Sequence, residues 1–311
     1  MKILFHDNCL SFRGTSVALY DYAYFCKRKF GFDVGVTYNR NNKNNDPSTL
    51  SKFAKEFDFV VGYDAGKLDE VVESFCPDAF FMEKSGPYDG IISRVGLNWI
   101  HAIAPCERSQ TYGDRFAMGS RWLGEISGID YVPYMVNLPD IKYNMRAVLG
   151  IPADGIVFGR NGGYETFDID FVKVAIADIL KIRNDLYFLF QGTNKFIDHD
   201  RAIFLEASAD LENKVAFINT CDALLHARQL GESFGLTCAE FSYLGKPVIT
   251  WFLSKERNHI DSLGARGIYY DNYNDIMEIL KNFGPIESAS LNCYEDSHPD
   301  VVMDKFKKVY L

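Results

Sequence analysis

Positive charge is in deficit. The chain carries 33 Lys and Arg against 42 Asp and Glu, a formal net charge of −9 over 311 residues. The deficit is uneven, with 16 basic and 18 acidic residues up to Met145 and 17 and 24 after it. Neither part has the clustered cations that phosphate neutralisation along a nucleic acid requires, so no nucleic-acid partner is expected. A small anionic ligand remains open, because one or two placed cations and a helix N-terminus suffice for it. Cysteine is also uninformative as a framework. The seven, at 9, 26, 76, 106, 221, 238 and 293, are odd in number and show no metal or redox spacing. That excludes a zinc site or disulfide scaffold and suits thiols in a reducing compartment. No apolar run approaches the ~18 residues of a membrane span. Met1–Phe5 runs straight into His6-Asp7-Asn8 and is too short for a signal segment. These absences describe a soluble, cytoplasmic protein. A dinucleotide oxidoreductase is disfavoured as well, since no G-x-G-x-x-G follows a strand and Gly159–Gly163 has the wrong spacing.

What is present is a chain rich enough in apolar (47%) and aromatic (15%) residues to fill two cores. Short apolar runs alternate with helical stretches from end to end. Lys2–His6, Phe32–Tyr38, Phe57–Val61, Ala79–Met82, Gly96–Ala102 and Arg115–Met118 read as strands, with a helix over Ser16–Lys29. A second series follows: strands at Ile156–Gly159, Leu186–Phe190, Lys214–Ile218, Ala223–Ala227, Pro247–Trp251 and Gly267–Tyr270, and helices at Asp168–Lys181, Ser233–Leu244 and Tyr273–Asn282. Alternation of this kind predicts parallel βαβ units, an α/β fold with two Rossmann-like layers. Residues 1–143 form the expected first domain and 144–294 the second. Residues 295–311 form a closing helix, with Val302, Phe306, Val309 and Tyr310 at helical spacing. That helix could pack on either domain. The expected ligand site is a cleft at the carboxyl ends of the strands.

The strongest constellation is Gly231-Glu232-Ser233-Phe234-Gly235-Leu236-Thr237-Cys238-Ala239-Glu240, followed by Gly245-Lys246-Pro247-Val248-Ile249. It reads as a loop that opens a helix, which Gly245 and Pro247 then stop. The helix start near Phe234–Leu236 offers unpaired N–H groups and a positive dipole end, suited to a diphosphate. Glu240 lies ~6–8 Å further on by helical rise, within reach of a ribose diol. The bland reading is an amphipathic helix with solvated glutamates. Two glutamates eight positions apart, with Phe-Gly-Leu between them and Gly-Lys-Pro-Val-Ile after them, make a more specific pattern. The segment resembles the signature of the family-4 retaining glycosyltransferases of the GT-B fold (glycosyl transferases group 1). Arg13–Ser16, Met118–Gly128, Tyr131–Asp140, Arg146–Arg160 and Lys214–Ala227 resemble other segments of that family in the required order, most strongly over 146–250.

The resemblance implies a GT-B fold and transfer of a sugar, with retention, from a nucleotide-diphosphate sugar (UDP- or GDP-linked) to a glycan or small acceptor. It implies no metal and no other cofactor. By position, Glu232 would bind the donor sugar hydroxyls, and Glu240 the ribose. The backbone of Phe234, Gly235 and Leu236 would meet sugar and diphosphate. Gly14 would let the N-terminal loop approach the diphosphate, and Arg160 would neutralise the leaving group. His101, at a strand end, either faces the sugar or is a satisfied core histidine. His226 reads as core, while His6 and Lys84 are lesser candidates. The family's lysine after the arginine is missing from Asn161–Asp168, which leaves Lys195 and Arg228 as substitute cations. The triplets Asp168-Ile169-Asp170 and Asp198-His199-Asp200 read as a helix cap and a polar loop rather than metal ligands. Two alternatives stay open: a sugar-nucleotide epimerase or hydrolase on the same fold, and a nucleotide-sugar binder without catalysis.

Overall fold

A computed structural model describes residues 1–284 and 292–311. The chain divides into two compact units, Met1–Asn137 with Asp296–Leu311, and Leu138–Glu295.

The first unit is a parallel six-stranded sheet of β1 (Lys2–Asp7), β2 (Asp33–Asn39), β3 (Phe59–Tyr63), β4 (Ala79–Lys84), β5 (Leu97–Ala102) and β6 (Arg115–Met118). Its spatial order is β3-β2-β1-β4-β5-β6. Helices α1 (Gly14–Phe30), α2 (Pro47–Glu56), α3 (Leu68–Phe75) and α4 (Arg121–Ser127) fill the connections. Their starts follow from sequence. Asp46 accepts a hydrogen bond from the Thr49 N–H and precedes Pro47, and Ser120 accepts one from Leu123. The run Ala79-Phe80-Phe81-Met82 is apolar on both sides because β4 is buried on both faces.

The second unit repeats the plan with β7 (Ile156–Asn161), α5 (Asp170–Ile179), β8 (Leu186–Gln191), β9 (Ala202–Leu205), α6 (Leu211–Thr220) and β10 (Ala223–His226). It continues with β11 (Gly231–Glu232), α7 (Leu236–Tyr243), β12 (Val248–Trp251), β13 (Glu256–Arg257), α8 (Asn258–Leu263), β14 (Ile268–Tyr270) and α9 (Tyr273–Asn282). The sheet order is β14-β12-β10-β7-β8-β9, and β11 pairs with β13 in a separate two-stranded ribbon. Each six-stranded sheet therefore has the doubly wound order 3-2-1-4-5-6, counted from its own first strand. Its topological switch falls between β1 and β4 in one unit and between β7 and β10 in the other.

The closing helix α10 (Pro299–Tyr310) returns to the first unit. Val302, Met303, Phe306 and Tyr310 are fully buried there, each contributing about 2 kcal/mol of apolar burial. One assignment is corrected. Lys214–Ile218, expected as a strand, lies inside α6, whose cap Asp210 accepts from the N–H groups of Glu212 and Asn213. A short apolar run such as Val-Ala-Phe-Ile does not distinguish strand from buried helix, and the capping aspartate four residues upstream decides it. β9 and α8 were not anticipated at all.

Candidate active site

The C-terminal ends of β7, β10 and β12 bring Arg160, His226 and Thr250 to the switch point of the second unit. The loop after β10 carries Glu232 on β11. Gly231 makes that pairing feasible. Its φ is +78°, and a Cβ there would collide with the Glu256 carbonyl across the ribbon. Gly235, at φ +88°, then caps α7 from the left-handed region, and the side chains of His259 and Glu232 close on the space a Cβ would fill. The Phe234 carbonyl accepts from Asn258 Nδ2 at 2.7 Å, and Thr237 Oγ1 donates to the Asn161 carbonyl at 3.0 Å. The start of α7 is thus pinned to the end of β7.

Glu232 is half-buried and held at both oxygens. His226 Nε2 lies 3.1 Å from Oε1, and Arg228 Nη1 donates to Oε2 at 2.9 Å. Burial alone would raise the carboxyl. The hydrogen bond from His226 and the positive field of its neighbours, Arg228 among them, outweigh it and hold the group at about 2. His259 packs edge-on against His226, with ring centroids 5.0 Å apart. It is fully buried, and apart from a weak interaction with the Glu232 backbone neither ring nitrogen makes a well-formed hydrogen bond. Burial holds it neutral, at about 3.

Arg160 is buried and, among the described residues, has no carboxylate in direct contact. Nη1 donates to the Gly192 carbonyl (2.9 Å) and Thr193 Oγ1 (2.6 Å), and Nη2 to the Gly163 carbonyl (2.9 Å) and Thr166 Oγ1. Burial depresses it to about 10, with Glu232 opposing that shift. Both terminal nitrogens are committed to the loops after β7 and β8. These four hydrogen bonds fix the guanidinium plane at the end of β7.

Of the two candidate cations, Arg228 lies beside Glu232 and pairs with it. Lys195 does not, being exposed and paired with Asp198 at 2.6 Å. Asp168 spends Oδ1 on the Gln229 N–H and so fixes the residue after Arg228. Asp170 pairs with Lys173. Among the described residues no group of three or more His, Cys, Asp or Glu side chains is placed to hold a metal ion.

Glu240, buried on α7, accepts from Lys214 Nζ on α6 at 2.7 Å. Sequence reading missed Lys214 because it placed that residue on a strand. The helix start at Asp210 was the signal that would have found it.

In the first unit the expected roles change. His101 is fully buried, with Nδ1 3.0 Å from the Tyr310 hydroxyl and Nε2 3.5 Å from that of Tyr22. Burial lowers it to about 3. It is a core histidine that ties α10 and α1 to β5, and the catalytic role expected for it is corrected on that ground. His6 is equally buried, against Tyr63, and Lys84 pairs with Asp89. Gly14 opens α1, and a Cβ there would meet nothing within 4 Å, so local packing does not require glycine.

No family model matches the chain, and no curated protein matches it by sequence. Solved structures do. HepE of Anabaena, in complex with UDP and glucose, superposes with a TM-score of 0.70 at 13% identity, covering 99% of this chain and 98% of its own. A glycosyltransferase from Rickettsia africae gives 0.67 at 11%, covering 99% and 97%. A putative UDP-N-acetylglucosamine 2-epimerase from Listeria monocytogenes gives 0.63 at 12%, covering 99% and 96%. At such identities the likeness is one of fold. The chain has the GT-B architecture, and that architecture serves more than one chemistry. No described helix is long and apolar enough to cross a membrane.

Proposed function

We propose that this chain of GT-B fold is a glycosyltransferase that moves a sugar from a nucleotide-diphosphate donor to an acceptor hydroxyl with retention at the anomeric carbon. One observation carries the reading. Glu232, an ionised carboxylate held by His226 and Arg228, stands beside the N-terminus of α7 at the switch point of a doubly wound sheet.

Each Glu232 oxygen spends one acceptor site on its protein partner and keeps another for a sugar hydroxyl. An ionised carboxylate in this setting accepts from sugar hydroxyls, and the resemblance to retaining GT-B enzymes implies a route without a covalent glycosyl-enzyme. The N–H groups at Gly235–Thr237 would receive the diphosphate. The charges of Arg228 and Arg160 would stabilise the developing leaving group without a metal. Glu240 would accept from the ribose hydroxyls through the oxygen that Lys214 does not hold. UDP and GDP donors fit this chemistry equally, as does a glycan or small-molecule acceptor.

The test is a thermal-shift screen of UDP, GDP and their sugars, followed by NMR of the product anomer. Stabilisation by a donor and a retained anomeric configuration support the reading. An inverted product or a trapped covalent intermediate overturns its mechanism. An epimer formed without acceptor replaces the transferase with an epimerase, and binding without turnover leaves a binder.

A further inference from the structure

Thr250, His226 and Glu232 form a continuous chain of side-chain contacts that the proposed function does not by itself require. The backbone builds the first link. His226 on β10 and Thr250 on β12 are register partners in a parallel ladder, so their side chains project to the same face. Thr250 Oγ1 accordingly sits 2.8 Å from His226 Nδ1. Thr250 is fully buried and His226 nearly so. The Tyr270 hydroxyl donates to the His226 carbonyl at 2.9 Å, and the edge of His259 closes one side of the ring. The imidazole thus has a fixed plane and an assigned partner for each nitrogen.

We propose that His226 is a positioning residue for Glu232, with Thr250 selecting the tautomer that performs the task. An ionised carboxylate only accepts hydrogen bonds, so Nε2 must carry the proton that meets Oε1. When the ring is neutral, Nδ1 is then an acceptor to which the Thr250 hydroxyl donates. Orientation passes from the sheet register to a hydroxyl, from the hydroxyl to a ring, and from the ring to the carboxylate. Arg228 fixes the second oxygen from the neighbouring loop. Other charged or titratable groups in this neighbourhood, among the described residues, include Arg160 on β7, Cys238 on α7, Glu256 and Arg257 on β13, His259 on α8, Tyr270 on β14 and Tyr294. This inference rests on the transferase reading for its kinetic consequence but not for its geometry.

Two substitutions separate positioning from packing. H226Q places an amide N–H near the Nε2 position and retains the bond to Glu232. H226N places its polar atoms near Nδ1 and retains only the Thr250 contact. Long-range proton–nitrogen NMR of the six histidines in the full chain, with the His226 signals assigned by their loss in H226Q, reads the tautomer directly. The expected result is the Nε2–H form in the wild type and its loss or scrambling in T250V. The Glu232 carboxyl, followed by carbon NMR, should keep its low titration in H226Q and move up in H226N. In turnover, H226Q should lose about threefold in kcat and H226N about a hundredfold, the upper end of what orienting groups supply. UDP and GDP affinity should be unchanged in both. Thermal denaturation of each variant checks that it folds. An Nδ1–H tautomer in the wild type overturns the proposal, as does equal behaviour of folded H226Q and H226N. If the wild type turns over no nucleotide sugar, the transferase reading fails, while the tautomer and the Glu232 titration still decide whether His226 positions the carboxylate.

Discussion

The two units have the same strand order and differ in what they place at its switch point. In the second, a half-buried carboxylate is ionised and flanked by cations, and a helix begins beside it. In the first, the equivalent strand ends carry His6, Asp7, Glu83 and Lys84, all buried. Burial drives Glu83 well above the usual carboxylate range. Tyr134 donates to its Oε2, while Oε1 has no partner among the described residues. One topology thus yields a half-buried ionised carboxylate in one unit and, in the other, a buried cluster in which burial favours the neutral forms of His6 and Glu83 while Lys84 pairs with Asp89. The difference lies in which residues close over the strand ends: a glycine-rich loop and ribbon in one unit, and aromatic side chains in the other. Tyr22, Tyr134, Phe306 and Tyr310 surround His101 and its neighbours. Fold assigns the location of a site, and local chemistry assigns its use.

The largest effect expected from this contrast is in acid. His6, His101 and His259 are each lowered to about 3 by burial, the first two in the first unit. Unfolded, they titrate near 6.5 and bind protons that the folded chain refuses. Stability therefore falls as pH drops below about 6.5, by about 2 kcal/mol per histidine at pH 5. Glu83 has the opposite sign. Its folded carboxyl is raised, so it favours the native state as pH falls towards the unfolded value and offsets part of the loss. Urea denaturation between pH 7.5 and 5 should show a net decline in the wild type. In E83Q, where the offset is removed, the decline should be steeper. A flat profile in E83Q would show that the histidines are not held neutral.

Next in size is the paired test of the two carboxyls. E232Q should lower kcat/KM by about 10² to 10³, the scale of one lost transition-state contact. E83Q, at a carboxyl whose protonated form burial favours, should leave turnover at pH 7 within about threefold. Comparable losses in both would place the first unit's cluster in the chemistry and end the contrast drawn here.

Much of this was legible in the sequence, for identifiable reasons. The alternation of strands and helices is periodic and local, so the two α/β series could be read directly. Gly231, Gly235, Gly245 and Pro247 are backbone requirements, so the loop opening α7 could also be read. Glu232 and Glu240 were found through that loop. What could not be read was the partner of each charge. Arg160 lies at the end of a buried strand as anticipated, yet its donors belong to the Gly163–Thr166 and Gly192–Thr193 turns, and only tertiary structure brings those turns to it. His101 and His226 both end strands and look alike in sequence. One is sealed by a helix about two hundred residues away in the chain, and the other faces a loop six residues ahead of it. Lys214 was hidden by a run that suits strand and helix alike.

A smaller effect is expected at Lys214. If Glu240 meets the nucleotide ribose, Lys214 orients that carboxylate in a buried setting. K214M should weaken UDP or GDP binding about tenfold, the cost of unpairing a buried hydrogen-bonded charge less what rearrangement recovers. E240Q should weaken it similarly, and K214M/E240Q should cost less than the two combined because each removes the same pair. Additive losses measured by calorimetry would show that the two residues act separately.

The smallest effect separates the two cations considered as substitutes for the missing lysine. Lys195 and Arg228 are both basic, both follow strands of the same sheet, and both form ion pairs. Their partners differ. Asp198, which holds Lys195, is almost fully exposed, so the pair is screened by solvent and contributes little. Glu232, which holds Arg228, is the proposed sugar-binding carboxylate, and neither side chain of that pair is more than about a quarter exposed. K195A should therefore change kcat/KM by less than about twofold, whereas R228A should lower it by tenfold or more, with R228K recovering only part because the forked donor is lost. Raising the salt concentration should mute what K195A does and leave the R228A defect in place, since only the exposed pair is open to screening. A K195A defect as large as that of R228A would mean that the loop after β8, and not the loop before Glu232, carries the cation for the diphosphate.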